Sequence, residues 1–216
     1  MKLDALVFDA YGTLFDVHSV MRRCETCWPG MGAALSAAWR AKQLEYTWQR
    51  SLMRAYRPFS EVTRDALEHT CEAMGLPLSS ANREELMAEY RRLALFPDVA
   101  LERLGGKKAI LSNGSPDMLE PLVAQSGLQF DAVLSVDEVK MYKPAPAVYE
   151  LAVRKLNTPK EQITFVSSNC WDALGAKSFG FTVYWINRAD APVDRMGLDL
   201  DFAVSSLKDL NQKLQE

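Results

Sequence analysis

Short apolar segments alternate with helical segments over the second half of this chain, and that alternation limits its fold more than any other feature. The apolar segments predict strands at residues 109–111, 132–134, 163–166, 181–186 and 202–204. The remaining segments predict helices at residues 116–127, 145–156, 171–179 and 207–214. Strands that alternate with helices form a parallel sheet with helices on both faces. The predicted fold class is therefore α/β, with a Rossmann-like parallel sheet at its core.

One more apolar strand is predicted at residues 3–8, and none is predicted between it and residue 97. This long stretch predicts three helices, at residues 30–57, 60–75 and 81–94; Pro58 ends the first, Gly75 ends the second, and Ser79 and Ser80 cap the third. The chain is therefore predicted to contain an α/β core domain, formed by residues 1–15 and 97–216. An all-helical cap domain, residues 16–96, is inserted into it.

The composition excludes several classes of function. The 216 residues are 48% hydrophobic, enough for a sizeable core, and the net charge is only −3. That charge provides neither the basic surface of a nucleic-acid-binding protein nor a polybasic membrane patch. No apolar run approaches the ~18 residues of a membrane-spanning helix, and the acidic Asp4 argues against a signal peptide. A cytoplasmic protein with no nucleic-acid or membrane partner is expected.

The four cysteines do not form a recognisable metal or redox motif. Cys24 and Cys27 have CxxC spacing, but Cys71 and Cys170 are isolated and provide no second pair for zinc. The CxxC also lies in a predicted helical segment, whereas a redox CxxC is expected at a strand-to-helix junction. We expect reduced thiols and no metal site.

Polar residues follow three of the predicted strands at the point where each strand ends. Asp9 comes directly after the first strand, Ser112 and Asn113 follow a second, and residues 167–169 (Ser-Ser-Asn) follow a third. Carboxyl ends of parallel strands open onto one edge of the sheet, where ligands bind. Each of these residues is also a common turn former, and Asp9 alone would be explained as a cap of the following turn. Together they predict an active site at this edge.

Five segments in order are similar to the L-2-haloacid dehalogenases (type II) of the haloacid dehalogenase superfamily: FDAYGTLFD, WRAKQLEYTW, LSNG, YKPAPAVY and VSSNCWDALGA. The resemblance covers the whole chain. Most members of that superfamily are phosphatases with DxD in the first motif, and their second aspartate protonates the leaving group. Tyr11 stands at that position here. A halide leaving group needs no proton, so this difference agrees with a dehalogenase.

The resemblance implies hydrolysis of short (S)-2-haloalkanoic acids to (R)-2-hydroxy acids and halide, through a covalent aspartyl ester and with no cofactor. Asp9 would be the nucleophile, Lys143 would pair with it, and Asp172 would activate water with the help of Asn169. The halide would be received by Arg40 and Asn113. The resemblance adds Thr13, Ser112, Tyr149 and Ser167 to the catalytic network, and Tyr11, Leu44, Phe59, Ser168 and Trp171 to the substrate pocket. Thr13, Ser112 and Ser167 would hydrogen-bond Asp9 or the substrate carboxylate. Nearby backbone amides would also donate hydrogen bonds to the substrate carboxylate.

Several alternatives remain open at this point. Arg40 and Lys143 would each be explained alone as surface cations, and Asp172 as a capping residue in the first turn of a helix. An atypical phosphatase and a non-catalytic binding protein on the same scaffold are the competing functions. Trp48 and Tyr56 on the long helix weakly favour a homodimer. The preferred halogen and chain length depend on pocket volume, which the order of residues does not define.

Overall fold

The computed structural model describes residues 4–101 and 104–215. Its centre is a six-stranded sheet in the order β3-β2-β1-β4-β5-β6, in which every neighbouring pair is parallel. The strands are β1 (Ala5–Phe8), β2 (Lys107–Ser112), β3 (Ala132–Ser135), β4 (Ile163–Ser167), β5 (Thr182–Ile186) and β6 (Phe202–Val204). The predicted α/β class is confirmed. Leu3, the first residue of the predicted N-terminal strand, lies outside the described residues.

Strand β1 occupies the middle of the sheet, and this position explains its apolar sequence. All four of its side chains are buried, because β2 and β4 flank it and helices cover both faces. The register places Phe8 beside Ile110 of β2 and Val166 of β4. The backbone N–H of Asp9 then donates to the carbonyl of Val166 at 2.9 Å. The first residue after β1 is thereby held between the ends of its two neighbours.

Three helices connect strands from β2 to β5, a fourth follows β6, and the ends of these helices follow from local sequence. They are α5 (Pro116–Ser126), α6 (Pro146–Leu156), α7 (Cys170–Phe179) and α8 (Leu207–Lys213). Helices α5 and α6 begin with proline, whose missing N–H costs nothing there. Gly127 ends α5 in the left-handed conformation, with φ 72°. The predicted helices therefore agree with the structure to within one or two residues.

Between β1 and β2 the chain forms four further helices, which pack on one another and are called the helical insertion here. They are α1 (His18–Cys27), α2 (Gly32–Leu52), α3 (Phe59–Ala73) and α4 (Ser80–Glu89). Ser79 caps α4 as predicted, its hydroxyl accepting from the N–H of Asn82 at 3.1 Å. Within the described residues, no helix has the length and apolar character that crossing a membrane requires. All four cysteines are free thiols.

Two predicted helix ends are wrong. Helix α2 ends at Leu52 instead of residue 57, because Arg54 adopts the left-handed conformation (φ 55°) without a glycine to mark the site. Tyr56 is therefore not on the helix face that would favour a homodimer. Its hydroxyl donates to Asp137 at 2.9 Å, and its ring packs against Tyr142. Helix α4 ends at Glu89, whereas the prediction extended it to residue 94.

Candidate active site

The carboxylate of Asp9 is held by three side chains, one from the turn that follows it and two from distant parts of the chain. Its Oδ2 accepts hydrogen bonds from the Thr13 hydroxyl at 3.0 Å and from Nδ2 of Asn169 at 2.9 Å. Its Oδ1 accepts from Nζ of Lys143 at 3.0 Å. Asp9 is only 6% exposed. The structure thus brings three predicted site residues together around the carboxylate of a fourth, Asp9, and defines its orientation.

The loop after β1 is shaped to return Thr13 over Asp9. Gly12 has φ 85°, a conformation that side chains disfavour, and it makes the tight turn between the two residues. The backbone N–H of Ser168 donates to the Thr13 hydroxyl at 2.8 Å, and the Ser168 hydroxyl donates to the carbonyl of Gly12 at 2.7 Å. Ser168 therefore ties the end of β4 to the turn that carries Thr13.

Lys143 is buried between two carboxylates. It is 1% exposed, and its Nζ donates to Oδ2 of Asp172 at 2.8 Å as well as to Asp9. Asp172 is fully buried and also accepts from the hydroxyls of Tyr149 at 2.8 Å and Ser167 at 3.0 Å. Burial lowers the pKa of Lys143, but Asp172 and Asp9 together raise it above its usual value. Lys143 is therefore a charged partner of both acids and not a surface lysine.

The pKa of Asp172 is raised to about 6, first by burial and then by the charge of Asp9, against the opposing effect of Lys143. Asp172 lies in the first turn of α7, as the capping alternative assumed, and a negative charge there is favourable to the helix dipole. The N-cap of α7 is Asn169, and the Asp172 oxygens bind Lys143, Tyr149 and Ser167. A carboxyl with a pKa near neutrality suits proton transfer better than an ordinary one.

This raised pKa predicts how Asp172 affects stability. Because the folded pKa of about 6 exceeds the ordinary 3.8, Asp172 contributes stability that is complete below about pH 4 and is lost as pH rises through 6. The loss is on the order of 3 kcal/mol. In Asp172→Asn the amide stays neutral, so the unfolding free energy of the wild type relative to the variant should fall between pH 4 and 7. Urea unfolding at each pH measures this, and a difference independent of pH would contradict it.

Aromatic rings form one wall of the site. The ring of Tyr11 lies 6.0 Å from the rings of Phe59 and Tyr90, measured between centroids. A Cβ at position 114 would lie 2.8 Å from Cε2 of Tyr11, so only glycine fits there. The Tyr11 hydroxyl is buried without a hydrogen-bond partner in the described part of the chain, and burial raises its pKa far above the usual value. Tyr11 and Phe59 therefore pack against each other in one aromatic cluster, and their place in the substrate pocket stays a prediction.

Arg40 lies on α2 and is half-buried. Its Nη1 donates to Oε1 of Gln43 at 2.6 Å, and its positive charge partly opposes the rise that burial causes in the pKa of Tyr11. At the end of β2, Oδ1 of Asn113 accepts from the N–H of Lys143 at 3.0 Å. This hydrogen bond leaves the amide N–H groups of Asn113 as donors for a ligand.

Several predicted contacts are not formed. Ser112 accepts from the N–H of Gly114 at 3.0 Å, and Ser167 bonds Asp172, so neither bonds Asp9. The reason is that each hydroxyl finds a nearer partner at the end of its own strand. Three backbone amides proposed for the substrate carboxylate are also engaged by side chains, those of Gly114, Ser168 and Asn169. Contacts of Ser112 and Ser167 with a substrate remain a prediction.

The two remaining pocket residues lie further out. Leu44 is half-buried on α2, one turn beyond Arg40. Trp171 is half-buried at the start of α7, where its ring packs edge-on against Trp48 at 5.7 Å between centroids. It lines an apolar groove of about 770 Å³ that also touches Lys143. The structure therefore places Trp171 beside the site without a contact to Asp9.

Arg188 is a residue of the site region that the sequence did not predict. Its guanidinium donates to the carbonyls of Gly12 and Thr13, each at 3.1 Å, and forms an ion pair with Asp98 at 3.0 Å. It also lies over the ring of Phe96, 4.0 Å from the centroid. Arg188 thus joins the turn after β1 to the segment that leaves the helical insertion. A single arginine after a strand carries no signal of such a role.

Comparisons with known proteins agree with these observations. A family model described as a haloacid dehalogenase-like hydrolase matches residues 3–180. An (S)-2-haloacid dehalogenase of Pseudomonas sp. (strain YL) is 50% identical over 213 residues, which are 95% of this chain and 92% of that protein. Haloacetate dehalogenase H-2 of Moraxella sp. (strain B) is 46% identical over 210 residues, 94% of each chain.

Solved structures are similar over the full length. A crystal structure of an L-2-haloacid dehalogenase has a TM-score of 0.97 and 46% identity, and the two chains cover each other completely. An L-2-haloacid dehalogenase of Xanthobacter autotrophicus with chloropropionic acid covalently bound has a TM-score of 0.91 and 40% identity, over 99% of this chain and 98% of that one.

Proposed function

The chain belongs to the haloacid dehalogenase-like hydrolases, and from that membership we propose how its site works as an (S)-2-haloacid dehalogenase. It hydrolyses short (S)-2-haloalkanoic acids to (R)-2-hydroxy acids and halide through an ester on Asp9. The observation that carries this proposal is the environment of Asp9. Its carboxylate is oriented by three donors, and Tyr11 lies where the phosphatases carry a second acid.

In the first step, Asp9 attacks C2 of the substrate from the side opposite the halogen. The carboxylate electron pair forms the C–O bond, and the C–halogen pair leaves with the halide, which inverts the configuration at C2. Oδ1 of Asp9 accepts one hydrogen bond and Oδ2 accepts two, so Oδ1 is the better nucleophile. No proton transfer is needed, and the ring of Tyr11 helps to exclude water.

Arg40 and Asn113 receive the departing halide. Arg40 supplies the positive charge, which also partly opposes the rise that burial causes in the pKa of Tyr11. Asn113 supplies amide N–H groups, which the bond from Lys143 to its carbonyl oxygen leaves available. Donors placed where negative charge develops stabilise the transition state more than the ground state. Leu44, Ser168 and Trp171 complete the substrate pocket in this proposal.

In the second step, water attacks the carbonyl carbon of the ester, so one Asp9 oxygen leaves in the product and a water oxygen replaces it. Asp172 accepts one proton from that water and returns it to the C2 oxygen as the ester C–O bond breaks, while the other water proton passes to solvent and Asp9 is again a carboxylate. The pKa of about 6 makes Asp172 a stronger base than an ordinary carboxylate. Because its oxygens already accept from Lys143, Tyr149 and Ser167, the water must enter this network after the ester has formed. Asn169, which donates to Asp9, orients it there.

In this proposal the chain keeps the two domains that the sequence predicts. Residues 1–15 and 97–216 form the core domain, and residues 16–96 form the cap that delivers Arg40. No metal or cofactor takes part in the proposed steps. Four free thiols are consistent with a cytoplasmic location. A homodimer stays a prediction; the exposed side chains of Trp48, Leu52 and Met53 at the end of α2 support it.

The direct test is halide release. The protein incubated with (S)-2-chloropropionate should release chloride and form (R)-2-hydroxypropionate, while the (R)-enantiomer should be a poor substrate because its halogen would point away from Arg40. Ion chromatography and chiral analysis of the product measure both. Magnesium-dependent turnover of a chromogenic phosphate, without halide release, would favour the phosphatase instead.

A further inference from the structure

The guanidinium of Arg40 is one end of a series of buried hydrogen bonds that the proposed steps do not use. Arg40 Nη1 donates to Oε1 of Gln43 at 2.6 Å, and Nε2 of Gln43 donates to the Thr63 hydroxyl at 2.6 Å. The Thr63 hydroxyl in turn donates to the backbone carbonyl of Phe59 at 2.7 Å. Gln43 and Thr63 are both completely buried. The series therefore links α2 to the start of α3, where Phe59 packs against Tyr11.

The hydrogen bonds of this series have a defined direction. Thr63 has a single hydroxyl hydrogen, which it gives to Phe59, so its oxygen can only accept from Gln43. The Gln43 amide must then turn its NH₂ group toward Thr63 and its carbonyl toward Arg40. The NH₂ group of the amide is thus directed away from Arg40, and its oxygen faces the guanidinium.

We propose that Gln43 and Thr63 are positioning residues that hold Arg40 in the orientation that receives the halide. This inference rests on the proposed function, because it gives Arg40 a role only if a halide departs. A free arginine side chain samples many rotamers, and one held beforehand loses less freedom when negative charge develops beside it. A flipped Gln43 amide would instead direct N–H groups at the guanidinium. Thr63 prevents that flip.

The series predicts an effect that depends on the leaving group. Chloride is a poorer leaving group than bromide, so its departure depends more on stabilisation by Arg40. Gln43→Met and Thr63→Val should slow chloride release by about tenfold, the effect of losing one hydrogen bond to a charged group. Bromide release should slow less, so the bromide-to-chloride rate ratio should rise. Thr63→Ser, which keeps the hydroxyl, should behave as the wild type.

The rates are measured in single turnovers, with protein in excess over (S)-2-chloropropionate or (S)-2-bromopropionate. Thr70→Val is the matched control, because Thr70 is also buried on α3 and donates to the carbonyl four residues before it, at 2.7 Å. It has no link to Gln43 among the described residues. Equal rate losses in Thr63→Val and Thr70→Val would show an effect of helix packing and would overturn the proposal.

Combination with Arg40→Ala separates this inference from the function on which it rests. If Gln43 acts only through Arg40, Gln43→Met should have no further effect in the Arg40→Ala background. Additive losses of rate in the double variant would overturn the proposal that Gln43 acts through Arg40. If Arg40→Ala raises the bromide-to-chloride rate ratio but Gln43→Met and Thr63→Val do not, then Gln43 and Thr63 do not position Arg40. The proposed role of Arg40 in receiving the halide would still stand. If Arg40→Ala leaves the ratio unchanged, the halide role itself is wrong.

Discussion

Replacing Asp9 with asparagine should reduce halide release by at least about 10⁴-fold, because an amide cannot form the ester by displacement at carbon. Asparagine has nearly the same shape and keeps an oxygen that accepts from Thr13 or Lys143, so the fold should survive. The measurement is halide release from (S)-2-chloropropionate, with thermal unfolding to confirm that the variant is folded.

Asp16→Asn is a matched control for that variant. Asp16 lies in the same N-terminal stretch. In the described structure its carboxylate accepts a hydrogen bond from the backbone N–H of His18 at 2.8 Å and lies 3.9 Å from the His18 ring nitrogen, and an amide oxygen can accept the same hydrogen bond. Its activity should equal that of the wild type. Halide release by Asp9→Asn at a rate within tenfold of wild type would exclude Asp9 as the nucleophile.

The carboxylate of Asp9 should acquire an isotope label during turnover. A single turnover in heavy-oxygen water should place the label in Asp9 and leave the product almost unlabelled, because water attacks the ester at the Asp9 carbonyl carbon. Mass spectrometry of the peptide that contains Asp9 detects it. Label found directly in the 2-hydroxy acid would instead mean that water attacks C2 of the substrate.

Replacing Lys143 with methionine should have the second large effect. The change leaves Asp9 and Asp172 as two buried carboxylates without a cation between them. Removing one partner of a buried ion pair costs about 3–5 kcal/mol. Activity should fall by at least about 10³-fold, since Asp9 loses the donor that orients Oδ1. Urea unfolding and halide release measure the two losses.

Lys177→Met provides the control. Lys177 lies on α7 and pairs with Asp201, but its side chain is one-third exposed, so that pair contributes at most about 1 kcal/mol. In Lys143→Met, adding Asp172→Asn should restore much of the lost stability and none of the activity, because it removes one buried charge. Equal stability losses for the two lysine variants would show that the buried charge between Asp9 and Asp172 does not matter.

The position of the site followed from local sequence. Asp9, Asn113 and Asn169 each come at or just after the end of an apolar run, and parallel strands bring such ends to one edge. Apolar periodicity and the proline and glycine signals are local properties, so strands and most helices agreed with prediction. Helix α2 did not, because Arg54 adopts a left-handed conformation that no local residue marks.

The partners of the buried polar groups did not follow from sequence in the same way. The sequence resemblance associated Ser167 with Asp9, whereas the structure pairs its hydroxyl with Asp172. Arg188 and the pair of Gln43 and Thr63 were not predicted at all. The contacts of Arg188 and of Gln43 with Thr63 join elements that are distant along the chain, and a hydrogen bond forms with whichever partner the packing brings within about 3 Å.

By itself, the sequence determined the α/β class, the edge of the sheet that carries the chemistry and the replacement of a second acid by Tyr11. These features depend on residue type and spacing along one segment. Only the tertiary structure decided that Lys143 lies buried between two carboxylates, that the Asp172 carboxylate binds Lys143, Tyr149 and Ser167, and that Gln43, the partner of Arg40 on α2, is bonded to α3. Burial and mutual distance set these properties, and both arise only when separate elements pack together.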